Sequence, residues 1–589
     1  MEERHVVVIG GGVAGAACLE ALVGLRKQMA ARDAHTPPPV RVRISIVSAS
    51  PMLKRATNEV RLSRALSEFD VELRQGAELV RTEYAGDAQW LCAAAQRLVV
   101  QADGRKYLEV LGLGEPGLHD KKQRRDRTCK MARAPQIAKV PFDYCCIATG
   151  ARPVVPSCLQ HPDIQRRVHV IRDLDSIHAF RNVLSGVSRM AVVGNGGIAL
   201  ELVHATRNCE IAWIVRDTHI GNAFFDAEVA QYLIDNRRLD SDGSGDEENA
   251  DLHARRKDRR ESKVQQSPTS GDIYGAAVGP DWLGGSDSVL HGGWKKRPCL
   301  AAAGVSESTG GRPLRIYYDS HVLSAEQTHD GQVCLTLSEG REKVMCDVVV
   351  AATGVVPCTS SDPGYLEVCC ERGAPPLVRD HEGAIVVEPG SLVTSVPGIY
   401  AAGDCSRVNT NSLSAESNWF QMRLWSQARK AGHCAAQSIY TAIQREFPEH
   451  IPDAAHLASG LEFELFAHAT QFFGRRVVLL GLYGAQNLSS RAYMIKNERS
   501  VLDVEQMGGG EGEGKEGDND GSGGDEEAEQ KSPFFVRVVL QDGVMRGALL
   551  VGETGREETY ENLILSRFPV ENFGNQLVDP SFDLADIFD

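Results

Sequence analysis

Two glycine fingerprints, each set between a buried apolar strand and a helix, and two further strands that each end in Ala-Thr-Gly predict an α/β protein. The architecture expected is two tandem Rossmann-like dinucleotide-binding domains followed by a smaller α+β C-terminal domain. The 589 residues suffice for three units of ordinary size. With 42% hydrophobic and 24% charged residues, the composition is that of a globular chain.

The first fingerprint follows Val6-Val7-Val8-Ile9, a buried parallel strand by pattern. Its spacing is Gly10-x-Gly12-x-x-Gly15, and Ala16 to Met29 reads as the helix behind it. Gly10 permits the tight turn, Gly12 lets a pyrophosphate approach the backbone, and Gly15 brings helix and strand together. Phosphates at such a turn meet the free N–H groups and the positive dipole end of the helix. After a polar loop, Arg32 to Pro39, the run Val40 to Val47 gives the second strand. It ends Val47-Ser48-Ala49-Ser50, without the acid that commonly holds an adenosine ribose. The Ser48 hydroxyl or a backbone group is left to take that place.

The stretch Leu118 to Arg133 is strongly basic and reads as a solvated insertion in a surface hairpin. The strand that follows ends in Ala148-Thr149-Gly150, and a second of the same kind, Cys346 to Pro357, contains Ala352-Thr353-Gly354. Between them, after Met190-Ala191-Val192-Val193, stands the second fingerprint, Gly194-x-Gly196-x-x-Ala199. Its third position needs only a small residue. One glycine turn is a weak signal, whereas two, each with its own Ala-Thr-Gly strand, mark a duplicated architecture.

Tyr232 to Lys296 shows no sustained period and reads as a mobile insertion, disordered over 237–296, with Asp281-Trp282 as an apolar island. Arg315 to Tyr318 and Val333 to Leu337 resume as strands. A buried strand then ends in Ala402-Gly403-Asp404, where the carboxylate can accept hydrogen bonds from ligand hydroxyls. A helix is expected over Ser417 to Ala436, with Trp419, Met422, Trp425 and Ala428 as its core stripe. Glu505 to Glu529 holds ten acidic residues against one lysine, so a disordered insertion is expected over 505–532. The last unit reads as strands Arg476 to Leu482, Phe534 to Leu540 and Met545 to Val551, then a helix, Glu557 to Ser566.

A formal net charge of −15 argues against a general nucleic-acid or anionic-membrane binder. No secretory leader is expected from the residues before the first strand, and no run has the length and apolarity of a membrane span. Fifteen scattered cysteines suit reduced thiols, hence a cytosolic or nuclear compartment. No metal site is expected.

Both fingerprints, both Ala-Thr-Gly strands and the segment Thr394 to Asp404 resemble the flavoproteins with two dinucleotide-binding domains. The resemblance narrows to the pyridine nucleotide-disulfide oxidoreductase domain-containing protein 1 family and covers all but the inserts. Its carriers include Val192 to Val203, Ile220 to Ala227, Gly279 to Trp282, Gln421 to Trp425, Glu464 to His468, Gly552 to Thr554 and Glu561 to Leu565. It implies FAD held by Gly10, Gly12, Gly15, Ser48, Thr149, Gly150, Gly403 and Asp404. It implies NAD(P)H held by Gly194, Gly196, Ala199, Glu201, Arg216 and Gly354. The corresponding domains are 1–155 with 346–455 for FAD, 156–345 for NAD(P)H, and 456–589 at the C-terminus. The resemblance further implies residence in nucleus and cytoplasm and a role in oxidative stress, protecting the tRNA ligase complex. In relatives the segment after the second strand faces the isoalloxazine, which brings Lys54 forward as a catalytic candidate.

One departure bears on mechanism. Disulfide reductases of this kind carry Cys-x-x-x-x-Cys on a helix after the second strand, and Ser48 to Ser67 contains no cysteine. Cys145-Cys146 point to opposite faces of a strand, and Cys369-Cys370 fall in a polar loop region. The leading expectation is a flavin-dependent NAD(P)H oxidoreductase without a protein disulfide. The alternatives are a nucleotide-bound protective binding protein and a thiol–disulfide reductase with another cysteine pair. Arg216, at the end of Ile211 to Val215, is placed to meet a 2′-phosphate, with Asp217 opposing it behind.

Overall fold

The computed structural model describes residues 2–32, 40–112, 137–172, 174–184, 186–206, 209–236, 314–338, 342–359, 366–447, 463–500 and 533–584. The basic run 118–133, the stretch 237–296 and the acidic run 505–532 lie outside them.

The first sheet is built on Glu2–Ile9, whose last five residues are buried. It pairs in parallel with Val40–Ser48 on one side and Tyr144–Ile147 on the other. Ile399–Ala401 extends the sheet beyond Tyr144–Ile147. On the far side Ala88–Val100 adds in parallel, and Lys106–Gly112 and Ile137–Phe142 follow antiparallel. The helices Val13–Arg32 and Trp425–Arg445 cover it. They pack so closely that a Cβ on Gly432 would lie 2.2 Å from the Ala14 carbonyl oxygen.

The second sheet repeats the scheme with five parallel strands. Arg189–Val193 lies between Glu210–Ile214 and Val348–Ala351, and Leu314–Tyr317 and Val168–His169 flank them. Val348–Ala351, placed by the sequence reading in the FAD unit, thus pairs in the second sheet. It occupies there the position that Tyr144–Ile147 holds in the first. Tyr232 is also reassigned: it lies in the helix Ala227–Asp235, N-capped by Asp226, whose carboxylate accepts from Val229 N at 3.2 Å.

The third sheet is antiparallel, in the order Ala467–Phe472, Arg475–Gly481, Val544–Val551, Phe534–Gln541, Tyr493–Arg499. The helix Glu557–Ser566 packs on it over the expected residues. Its other face shares a core with the second unit, where Phe472 meets Phe224 and Phe225 at ring distances of 5.2 and 5.4 Å.

Two further expectations are corrected. The helix expected from Ser417 begins at Trp425, leaving Trp419 and Met422 in irregular chain outside any helix or strand. Asn418 trades backbone hydrogen bonds with Glu464 and Phe466, and Phe420 stacks on Phe466 at 4.2 Å. These tertiary bonds outweigh the helical spacing of the aromatics. Cys369 and Cys370 are in the strand Glu367–Cys370, paired in parallel with Arg97–Val100, rather than in a loop. Among the described residues no helix is long and apolar enough to cross a membrane.

Candidate functional site

Each fingerprint glycine answers to a measurable constraint. Gly10 has φ +116° and donates to the Val47 carbonyl at 2.8 Å. A Cβ there would lie 2.2 Å from Ala148 O, and one on Gly15 would lie 1.9 Å from Gly10 O. A Cβ on Gly12 would meet nothing within 4 Å. The fold therefore requires the first and third glycines for packing and leaves the second facing open space. The second fingerprint repeats this: Gly194, at φ +130°, would clash at 2.1 Å with Ala352 O, while Gly196 faces open space. Ala199 is fully buried. Gly150 and Gly354, which close the two Ala-Thr-Gly turns, both have positive φ, +70° and +92°.

A cavity of about 420 Å³ opens at the first turn. Gly10 to Gly12, Ser48, Lys54, Thr149, Gly150, Arg172 and Cys358 are among its walls. The Ser48 hydroxyl donates to Ser50 O at 2.9 Å, and Lys54 N donates to Gly11 O at 2.9 Å. Burial pushes the Cys358 thiol up, opposed by the Arg172 and Arg152 guanidiniums.

A smaller cavity of about 70 Å³ adjoins it, sharing Arg172 as a wall. Here all three units converge. Asp404 and Trp425 come from the first, Gly197 and Glu201 from the second, and His468 and Thr470 from the third. Asp404 lies on the turn Gly403–Cys405 and accepts from Arg172 Nη2 at 3.0 Å. Arg172 also donates through Nε to Ala151 O at 3.0 Å. Glu201 is 8% exposed, on the helix Gly197–Ala205. Burial, with Lys430 nearby, pushes the His468 imidazole down to about 4.

The structure thus brings Gly10, Gly12, Ser48, Lys54, Thr149 and Gly150 to one cavity, and Asp404 and Glu201 to the next. Gly194 and Gly196 form a separate turn at the end of the second sheet, packed beside the Ala-Thr-Gly turn that Gly354 closes. Arg216 follows that sheet's strand Glu210–Ile214 as an exposed side chain, one residue beyond the fully buried Val215. Asp217, expected to oppose Arg216, instead accepts from Asn195 Nδ2 at 2.9 Å. Sequence reasoning missed Arg172, Asn195 and His468. Asn195 sits inside the second fingerprint, and its amide also donates to His219 O at 2.8 Å.

The residues fit two dinucleotides. Both middle glycines face empty space that a Cβ would enter, beside turns whose other glycines are fixed by packing. This fold, with a nucleotide turn on each sheet and a shared cavity between, defines the class: an FAD-dependent oxidoreductase that uses a pyridine nucleotide. The family model "Pyridine nucleotide-disulphide oxidoreductase" matches residues 4–240 and 306–432, and the chain belongs to that family. It is 30% identical to "Pyridine nucleotide-disulfide oxidoreductase domain-containing protein 1" of Homo sapiens over 599 residues, covering 99% of this chain and 97% of that one. It belongs to the same family as that protein. Among solved structures, the putidaredoxin reductase–putidaredoxin complex matches with a TM-score of 0.56 at 15% identity, covering 100% and 99% of the two chains. An FAD-dependent pyridine nucleotide-disulphide oxidoreductase from Desulfovibrio vulgaris matches at 0.51 and 13%, covering 99% and 98%.

Proposed function

We propose that this oxidoreductase passes electrons from NAD(P)H by way of flavin to oxygen, a quinone or another small acceptor, with no protein dithiol between. One observation carries the reading. Met52–Arg61 and Ser67–Gln75 form an antiparallel hairpin where the disulfide reductases carry a cysteine-bearing helix, and Ser48 to Ser67 contains no cysteine. FAD bound in the first cradle supplies the two-electron chemistry, with hydride arriving from the nicotinamide.

In this reading residues 1–155 with the chain from Val355 to 455 serve FAD, 156–345 with the strand Val348–Ala351 and its Ala-Thr-Gly turn serve NAD(P)H, and 456–589 complete the cavity. Gly12 leaves room for the FAD pyrophosphate, and the backbone at Thr149 and Gly150 lines its path. Gly403 turns Asp404 toward ligand hydroxyls, and Arg172 holds its carboxylate. Ser48 takes the ribose position with its oxygen lone pairs, since its proton goes to Ser50 O. Lys54 lies on the ring side of that cavity. Gly194, Gly196, Ala199 and Gly354 shape the second turn, Glu201 stands at the meeting cavity, and Arg216 receives a 2′-phosphate. Cys145 and Cys146 are unsuited to redox exchange: burial raises the Cys145 thiol well above its usual range, and a hydrogen bond with the Cys18 thiol, together with burial, does the same for Cys146.

Anaerobic titration of the purified holo-protein with NADPH tests this. The visible flavin absorbance should bleach with one equivalent per flavin. Uptake of a second electron pair would mean a dithiol participates. Absence of bleaching would favour the nucleotide-bound protective protein.

The resemblance extends the proposal to a role in oxidative stress, protecting the tRNA ligase complex in cytoplasm and nucleus. Purified tRNA ligase complex should keep its ligation activity longer in air when this chain and NADPH are both added, and a tagged chain should be found in both compartments.

A further inference from the structure

The hairpin Met52–Arg61/Ser67–Gln75 is mostly polar and partly exposed, so little in its own sequence fixes its position. Three clamps do so. At its base Arg55 pairs with Glu20 at 2.9 Å and with Glu83 at 2.7 Å. Midway, Arg429 grips both oxygens of Glu59 at 2.5 and 2.6 Å. At the tip Leu66, 1% exposed, enters the core of the third unit.

The tip clamp centres on Glu561, a carboxylate only 1% exposed, on the helix Glu557–Ser566. It accepts from the Ser63 hydroxyl and from Ala65 N, the latter at 2.8 Å. Ser63 Oγ in turn accepts from Leu66 N at 3.0 Å, and Lys430 donates to Ala65 O at 2.9 Å. Burying a carboxylate is costly unless hydrogen bonds replace its water, and here the donors come from a segment 496 residues away. The next residues, Ser67 to Phe69, wall the small cavity where the three units meet.

We infer that Glu561 is a positioning residue: it fixes the hairpin tip so that Ser67 to Phe69 stand as a wall of the flavin-ring cavity and shield the ring from solvent. This rests on the proposed function and on reading the ring as reaching from the first cavity, which Lys54 lines, into this smaller one beside it. The C-terminal unit thereby sets access to a cofactor whose dinucleotide turn it does not carry.

Hydrogen exchange on the holo-protein, paired with iodide quenching of flavin fluorescence, tests it. In Glu561→Gln the amides of 62–69 should exchange about tenfold faster or more, and iodide should quench more strongly. Ser63→Ala, which removes one donor and no charge, should shift both readouts the same way by less. Exchange across Phe534–Gln541 should stay as in the parent chain, and Glu558→Gln, an exposed change on the same helix, should move nothing. Unchanged tip exchange in both variants overturns the inference. So does loss of protection spread equally into Phe534–Gln541, or faster tip exchange with unaltered quenching. If Glu561→Gln does not fold, Ser63→Ala decides. A colourless parent protein would defeat the ring-site reading instead, and the exchange comparison would still report on the clamp.

Discussion

Arg172 and Asp404, 232 residues apart, meet at 3.0 Å where the cavity at the first turn adjoins the smaller one. Arg172 ends the segment entering the second unit, whereas Asp404 ends the last strand of the first. The pair is partly shielded, with side chains 29% and 12% exposed. Arg172 also holds Ala151 O, behind the first Ala-Thr-Gly turn. The bond therefore fixes the carboxylate and the turn together.

A double-mutant cycle checks this pairing. Asp404→Asn and Arg172→Met should each weaken FAD binding, and together they should cost less than the sum of the two. A coupling of about 1–2 kcal/mol is expected for a charge-assisted bond of this exposure. Strict additivity in FAD affinity would show that the two act separately.

Gly12 separates cofactor binding from folding. Its surroundings are empty and its backbone needs no left-handed φ, so Gly12→Val should fold normally yet yield colourless protein. Gly15→Val should instead fail to fold, because its Cβ would collide with Gly10 O. Visible absorbance per mole and far-ultraviolet circular dichroism distinguish the two. A yellow, fully loaded Gly12→Val protein would sink the assignment.

Arg216 should decide the nicotinamide. Asp217 is turned to Asn195, leaving the arginine as the exposed charge at that strand end. NADPH is expected to bind at least as well as NADH. Arg216→Ala should weaken NADPH by roughly 1.5–3 kcal/mol and leave NADH nearly unchanged. Equal losses for both would show that Arg216 does not read the 2′-phosphate.

His468 makes stability depend on pH. Its imidazole is held near 4, against about 6.5 in an unfolded chain. Between those values the unfolded state binds a proton that the folded state refuses, so stability falls as pH drops from 6.5 toward 4. His468→Gln should remove this component, reducing the acid loss by about 1–3 kcal/mol. Urea midpoints at pH 7 and pH 5 measure it, and identical pH dependence in parent and variant would refute it.

The nucleotide turns were legible because sterics leave few residues that fit them: Gly10 and Gly194 are constrained by carbonyls of neighbouring strands, and such constraints survive in a single sequence. The hairpin was not legible. Its strands alternate poorly, and its clamps, Glu561 and Arg429, lie hundreds of residues away. The irregular stretch Ser417 to Leu424 was misread for a related reason. Its hydrogen bonds to Phe463, Glu464 and Phe466 are tertiary and leave no local period. Ala467–Phe472 and Tyr493–Arg499 escaped notice as well, one being short and mixed, the other largely polar on its open edge. Arg172 left a faint signal, as the charged residue closing the strand-like run Val168-His169-Val170-Ile171.

The edge strand Ile399–Ala401 imposes an order on biosynthesis. The second sheet has all five strands once Ala351 has left the ribosome. The first begins with Glu2 but lacks this strand, Asp404 and the helix Trp425–Arg445 until some fifty to a hundred residues later. The unit that opens the chain is thus the later of the two to close. A chain ended before residue 399 would hold all five described strands of the second sheet while lacking both the edge strand of the first and the carboxylate of Asp404.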